Sequence, residues 1–152
     1  MTTTILTIPL WLNGQEHLTE PTYTITSPHT NTPIWSSSLA SPSLSLSAIQ
    51  SSQAAFQSWS FTKPSYRRDI LLKAAQILEE RTQEYASYMC EEMGCEVGVS
   101  QFFVMPLAIQ MLKDIAGRIS GVCGSVPVCG MEGMSAMVWK EAYGVTLGIV
   151  PW

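Results

Sequence analysis

Cys90, Cys95, Cys123 and Cys129 are the side chains of this sequence best suited to nucleophilic or metal chemistry. Four thiols allow three disulfide pairings, but nothing else in the chain points to secretion, which predicts reduced thiols. A tetrahedral zinc site needs closely spaced ligands. No Cys-x-x-Cys occurs, and the two histidines, His17 and His29, lie far from the thiols, so no metal site is expected. A cysteine attacks as its thiolate. Cys95 follows Gly94 with no base or cation beside it to lower its pKa, and is read as inert. Paired carboxylates can act as acid and base. Glu91 and Glu92 are adjacent, however, and a helix turns neighbours about 100° apart, so with Glu96 they read as a solvated helix end. Gly121, Gly124, Gly130 and Gly133 spell neither a phosphate loop nor Gly-x-Gly-x-x-Gly after a strand. No catalytic residue is assigned.

The whole chain narrows the classes further. It has 152 residues, 46% of them apolar and 13% charged, with mean hydropathy +0.15. Disorder throughout is excluded by that balance, and one domain burying roughly 68–70% of its unfolded surface is expected. Eight Lys and Arg without a cluster and a net charge of −4 give a phosphate backbone nothing to hold, so nucleic acid is not expected as a partner. No run approaches the roughly 20 apolar residues of a membrane span. The apolar stretch 5–12 lacks a basic region before it and is interrupted by Pro9 and Asn13-Gly14, unlike a signal peptide. No membrane partner is expected, and the chain is read as cytoplasmic.

The elements fall in three parts: β strands over 8–40, helices over 42–120, and loop and strands over 121–152. Leu10 to Leu12, then Asn13-Gly14, then Gln15 to Leu18 predict a hairpin. Thr22 to Thr26 predicts a strand, residues 29–33 a turn, and Ile34-Trp35-Ser36 another strand. Ser41 before Pro42 predicts a capped helix with Leu46, Ile49, Phe56 and Trp59 on one apolar face. A second helix is capped by Thr62, has Pro64 in its first turn, and stops at Gly94. A third spans 100–120, with Pro106 near the start of its reliable part. Ser135 to Glu141 and Val145 to Val150 predict two C-terminal strands, the last buried on both faces and ended by Pro151.

Three stretches then carry a resemblance: Trp11-Leu12-Asn13-Gly14, Arg67-Arg68-Asp69-Ile70-Leu71, and Glu-x-x-Gly-Val-x-x-Gly-Ile-x-Pro-Trp at the end, from Glu141 to Trp152. In that order and spacing the chain resembles the N-terminal part of the aldehyde dehydrogenases. Met111-Leu112-Lys113, Gly124-Ser125-Val126-Pro127 and Gly144 to Ile149 are most similar to the branch acting on aromatic aldehydes such as salicylaldehyde and vanillin. The resemblance implies an α/β chain with an incomplete aldehyde dehydrogenase-like fold: N-terminal β-hairpins, about three amphipathic helices and two C-terminal strands. It implies NAD or NADP as cofactor, with Ile149, Val150, Pro151 and Trp152 matching a strand end that lines the nucleotide pocket. It also implies that the family's asparagine, glutamate and cysteine lie beyond Trp152, so a lone chain is expected to be inactive and hardly able to bind NAD alone.

Three readings follow. The first is the N-terminal part of an NAD(P)-dependent aldehyde dehydrogenase, truncated. The second is a non-catalytic assembly module, pairing as a homo-oligomer or with a related subunit through unpaired terminal strands. The third is a repurposed small enzyme of an aromatic pathway. Poor solubility without a partner is expected, because surface covered elsewhere in the family would be bare here.

Overall fold

A computed structural model describes residues 5–150. Two short sheets come first. Leu10–Leu12 (β2) and Gln15–His17 (β3) form the expected hairpin, with Leu12 opposite Gln15. Its turn needs two residues at positive φ, and Asn13 and Gly14 supply them at 53° and 74°. Thr22–Thr26 (β4) runs antiparallel to Pro33–Ser38 (β5), with a register shift at Ile25/Thr26. A strand not foreseen, Thr7–Ile8 (β1), pairs parallel to β5, giving the order β1-β5-β4. The 29–33 turn closes through Asn31 N–H donating to Ser27 O at 2.8 Å, with Asn31 at φ 55°.

The helices follow the proline signals closely. Pro42–Trp59 (α1) is capped by Ser41, whose hydroxyl accepts from Leu44 N–H at 3.1 Å. Pro64–Glu80 (α2) begins on its proline, but Lys63 is the capping residue and no side chain caps. Thr62, expected as the cap, instead donates to Trp59 O at 2.6 Å. The single helix expected up to Gly94 is interrupted at Arg81 (φ −109°, ψ 20°), and Thr82–Met93 (α3) continues beyond it. The Thr82 hydroxyl donates back to the carbonyls of Leu78 and Glu79, both at 3.0 Å, the kind of local bond that bends helices. Gly94 ends α3 at φ 69°, as expected.

Val97–Val99 (α4) is a single turn, Ser100–Val104 is a π-helical turn, and Met105–Arg118 (α5) carries Pro106 at its start. A proline removes one helical N–H and crowds the carbonyl four residues back. The π turn, in which Met105 N–H donates to Ser100 O, widens the backbone just before that point. The helix over 100–120 is thus continuous in path but changes register, and ends in the 3₁₀ turn Ile119–Gly121.

Packing is concentrated where α2 and α5 meet. Ala75 and Ala116 are fully buried there, and Ala86, Met105 and Ile109 complete the buried apolar set. Helix α1 lies outside this core. It has no fully buried residue, and of its expected apolar face Leu46, Ile49 and Trp59 are exposed while Phe56 is half-buried, so that face is only partly covered.

The fold class is mixed α/β, but the two C-terminal strands do not form. Over 122–150 the only ladder contact among the described residues is the bridge between Ser125 and Val138. The physical reason lies in Val145 to Val150: an apolar strand needs both faces covered and its backbone paired. Leu147 is 87% exposed, with nothing to pair against. The whole surface says the same. It amounts to 12123 Å², whereas a folded monomer of this mass exposes about 7,600 Å² and its unfolded chain about 24,000 Å². Folding removes about half of the unfolded surface rather than the expected 68–70%.

Candidate functional site

Ile149 and Val150, two of the residues matched to a nucleotide pocket, are 89% and 77% exposed, in a segment without secondary structure. Pro151 and Trp152 lie outside the described residues. The four main hollows of the described residues lie elsewhere, and neither Ile149 nor Val150 lines any of them. A dinucleotide needs backbone amides aimed at its pyrophosphate and walls around its rings. The described part of this segment offers neither, so it does not fit the cofactor as it stands.

The acidic residues have structural duties. Glu92 accepts from Trp35 Nε1 at 2.9 Å, joining α3 to β5. Glu96 caps α4, its carboxylate accepting from Val99 N–H at 2.8 Å. The backbone amides of Gly98 and Val99 hold its pKa below the ordinary carboxylate value. Glu91 is exposed.

The thiols are equally dispersed. Cys90 lies 3.5 Å from the Ser100 hydroxyl, which itself donates to Val97 O at 2.9 Å. Cys95 donates to Glu96 O at 3.6 Å and Cys123 to Gly121 O at 3.2 Å. All four cysteines are free. His17 sits in the hairpin opposite Leu10, and His29 in the turn after Ser27. Neither histidine reaches a thiol or carboxylate among the described hydrogen bonds, so no nucleophile and base converge. Among the described residues no three His, Cys, Asp or Glu gather, and no helix is long and apolar enough to cross a membrane.

A polar cluster that matches no motif of the sequence sits at the start of α3. Arg81 forks onto Glu84 with bonds of 2.7 and 2.6 Å, and Tyr88 donates to Glu84 at 2.9 Å. These bonds hold Glu84 well down, to about 2, and raise Arg81 and Tyr88. Arg81 also stands 5.0 Å over the Tyr85 ring, Tyr85 meets Tyr88 edge-on at 6.1 Å, and Tyr88 meets Trp35 at 5.9 Å. The i,i+3 and i,i+4 spacing of Arg81, Glu84 and Tyr88 is the signal that could have found it. Its effect is to lock the start of α3 and carry that helix to the sheet. A separate apolar hollow is lined by Ile25, Met89, Met93, Val104, Met105 and Ala108 together with Glu92. Glu92 already serves Trp35, leaving no group there poised for chemistry on a ligand.

The family profile described as Aldehyde dehydrogenase family matches residues 11–152. The chain belongs to the aldehyde dehydrogenase family. It is 37% identical to a vanillin dehydrogenase of Pseudomonas sp. over 105 residues, 69% of this chain and 21% of that protein. It is 30% identical to a 1-pyrroline-5-carboxylate dehydrogenase of Anoxybacillus flavithermus over 95% of this chain and 28% of that protein. Among solved structures, a salicylaldehyde dehydrogenase from Pseudomonas putida G7 complexed with salicylaldehyde superposes with a TM-score of 0.81 at 20% identity, covering 90% of this chain and 28% of that one. At that identity the likeness speaks for the fold. This aldehyde dehydrogenase chain therefore spans between about a fifth and three-tenths of the length of the relatives it matches.

Proposed function

We propose that these residues form the N-terminal scaffold of an NAD(P)-dependent aldehyde dehydrogenase acting on aromatic aldehydes in the cytoplasm, inactive by themselves. The overall reaction takes an aldehyde, water and NAD(P)⁺ to the acid, NAD(P)H and a proton. The observation that carries this reading is the bare surface. A chain with the family's fold, exposing about half again the area of a compact monomer, is built to be covered by more polypeptide. The aromatic class is supported by the identity to the vanillin dehydrogenase and by the likeness to the salicylaldehyde enzyme. The reacting thiolate, carboxylate and asparagine belong to the covering part, since the described residues bring no nucleophile and base together.

Complementation tests it. The 152-residue chain is mixed with the separately produced remainder of the Pseudomonas vanillin dehydrogenase, and NADH formation from vanillin is followed. Activity in the mixture and in neither half alone is expected. Turnover by the 152-residue chain alone overturns the reading, as does a mixture in which the halves associate without activity. The same bare surface favours a second reading, an assembly module that pairs with a related full-length subunit. Co-purification with an intact vanillin dehydrogenase tetramer or dimer, without displacing its own N-terminal part, would decide for that alternative.

A further inference from the structure

Trp35, Tyr88 and Tyr85 form a row of oxidisable rings running from β5 along α3, and two of the three hold a proton acceptor. Trp35 and Tyr88 meet edge-on with centroids 5.9 Å apart, and Tyr88 meets Tyr85 at 6.1 Å. The Trp35 Nε1–H donates to Glu92 at 2.9 Å, and the Tyr88 hydroxyl donates to Glu84 at 2.9 Å. An indole or phenol that loses an electron becomes a strong acid, so the loss is easiest where a base within hydrogen-bond reach takes the proton. Both carboxylates are already in that position. Trp35 is half-buried, whereas Tyr88 is 39% exposed. Tyr85 differs: the Arg81 guanidinium stands 5.0 Å over its ring, and a positive charge there opposes removal of an electron. No described hydrogen bond gives the Tyr85 hydroxyl an acceptor, so the row ends at Tyr88. A second edge-on pair, Trp59 and Tyr66 at 6.2 Å, has no acceptor on either ring among the described hydrogen bonds. Ring contact and proton acceptor are therefore separable in this chain.

We propose that Trp35 and Tyr88 form a hole-transfer path, which moves an oxidising equivalent from the sheet to the surface of α3 with Glu92 and Glu84 as proton acceptors. The oxidant is a one-electron oxidising radical from solution. It takes one electron from the Trp35 indole, whose Nε1 proton passes to Glu92, leaving a neutral indolyl radical. Tyr88 then gives one electron to that radical and its hydroxyl proton to Glu84. Glu92 returns its proton to Nε1, which restores Trp35, and Glu84 releases its own to water. The net change is one electron and one proton lost from Tyr88. The direction follows from the rings themselves, since a phenoxyl radical lies below an indolyl radical in free energy at neutral pH. A small solution reductant that donates a hydrogen atom, such as ascorbate or a thiol, returns Tyr88 to the phenol. Met89, Cys90 and Met93 stand on the same helix, and the path competes with oxidation of their sulfurs.

Pulse radiolysis of the whole 152-residue chain with the azide radical, which oxidises tryptophan selectively, tests the path. The parent carries Trp11→Phe, Trp59→Phe, Trp139→Phe and Trp152→Phe, so that Trp35 is the single indole oxidised. Decay of the indolyl absorption with matching growth of phenoxyl absorption is expected, at a rate independent of protein concentration. Tyr88→Phe should remove that growth, Glu84→Gln should slow it about tenfold, and Tyr85→Phe should leave it within about twofold. A chain that keeps Trp59 as its single indole should show growth about tenfold slower than the parent. An unchanged far-ultraviolet circular dichroism spectrum is the folding control for each variant. Growth that persists in Tyr88→Phe or disappears in Tyr85→Phe overturns the path, as does a rate in the parent that scales with concentration, a result that needs no further variant. Parent-like rates in Glu84→Gln and in the Trp59 chain overturn the part given to the carboxylates.

Discussion

Glu84 shows how much structure one carboxylate can hold. Its two strong partners, Arg81 and Tyr88, lie on the same helix start, and together they depress its pKa from 4.5 to about 2. A depressed acid stabilises the fold above its ordinary pKa and loses that contribution as pH falls through the folded value. The expected outcome is a melting temperature that drops more steeply between about pH 4.5 and 2 in the wild-type chain than in Glu84→Gln. Salt should shrink the difference, since the pair is exposed. Parallel melting curves over that window would show that the fork contributes nothing. At this scale the sequence was legible where a residue has one backbone duty: Ser41 before Pro42, Asn13-Gly14, and Gly94 after Met93 all hold their expected places. It was less legible at Thr62, where two local bonds compete and the hydroxyl turns back to Trp59 rather than forward to the next helix.

Between elements, the decisive contact is α2 against α5, and it depends on smallness. Ala75 and Ala116, one on each helix, are each 0% exposed, so neither position has free space for a larger side chain. Enlarging one of them forces the axes apart. Ala116→Leu is expected to destabilise the chain by about 1–3 kcal/mol, read as a lower urea midpoint, while the exposed Gln110→Leu on the same helix should change it little. Equal midpoints for wild type and Ala116→Leu would mean the crossing is loose. Apolar spacing was enough to place these helices in the sequence. It could not reveal the break at Arg81, which comes from the Thr82 hydroxyl reaching back over a turn, nor the π turn ahead of Pro106. Both are registers set by single hydrogen bonds, invisible to a pattern of apolar and polar positions. The apolar face of α1 was legible as a face but not as partly uncovered, because periodicity says which side is apolar and not whether anything covers it.

For the molecule as a whole, unfolding exposes less new surface than its length suggests. The denaturant slope scales with that area, so the urea m-value is expected to be about three-quarters of that of a compact chain of this length. Light scattering should show association that grows with concentration, driven by exposed residues such as Trp139, Leu147 and Phe61. A full-sized slope together with a clean monomer would contradict the picture of an uncovered scaffold. The strand potential of residues 145–150 was plain in their composition, yet a strand is a property of two partners and the composition describes one. Beyond Val122 and Cys123, which bond to the adjoining 3₁₀ turn, the described hydrogen bonds of the last thirty residues run only within that segment. Synthesis proceeds from the N-terminus, and folded units settle as they emerge. Everything up to Gly121 can therefore reach its own geometry while the arm beyond it is still uncommitted, and the order of translation becomes the order of assembly.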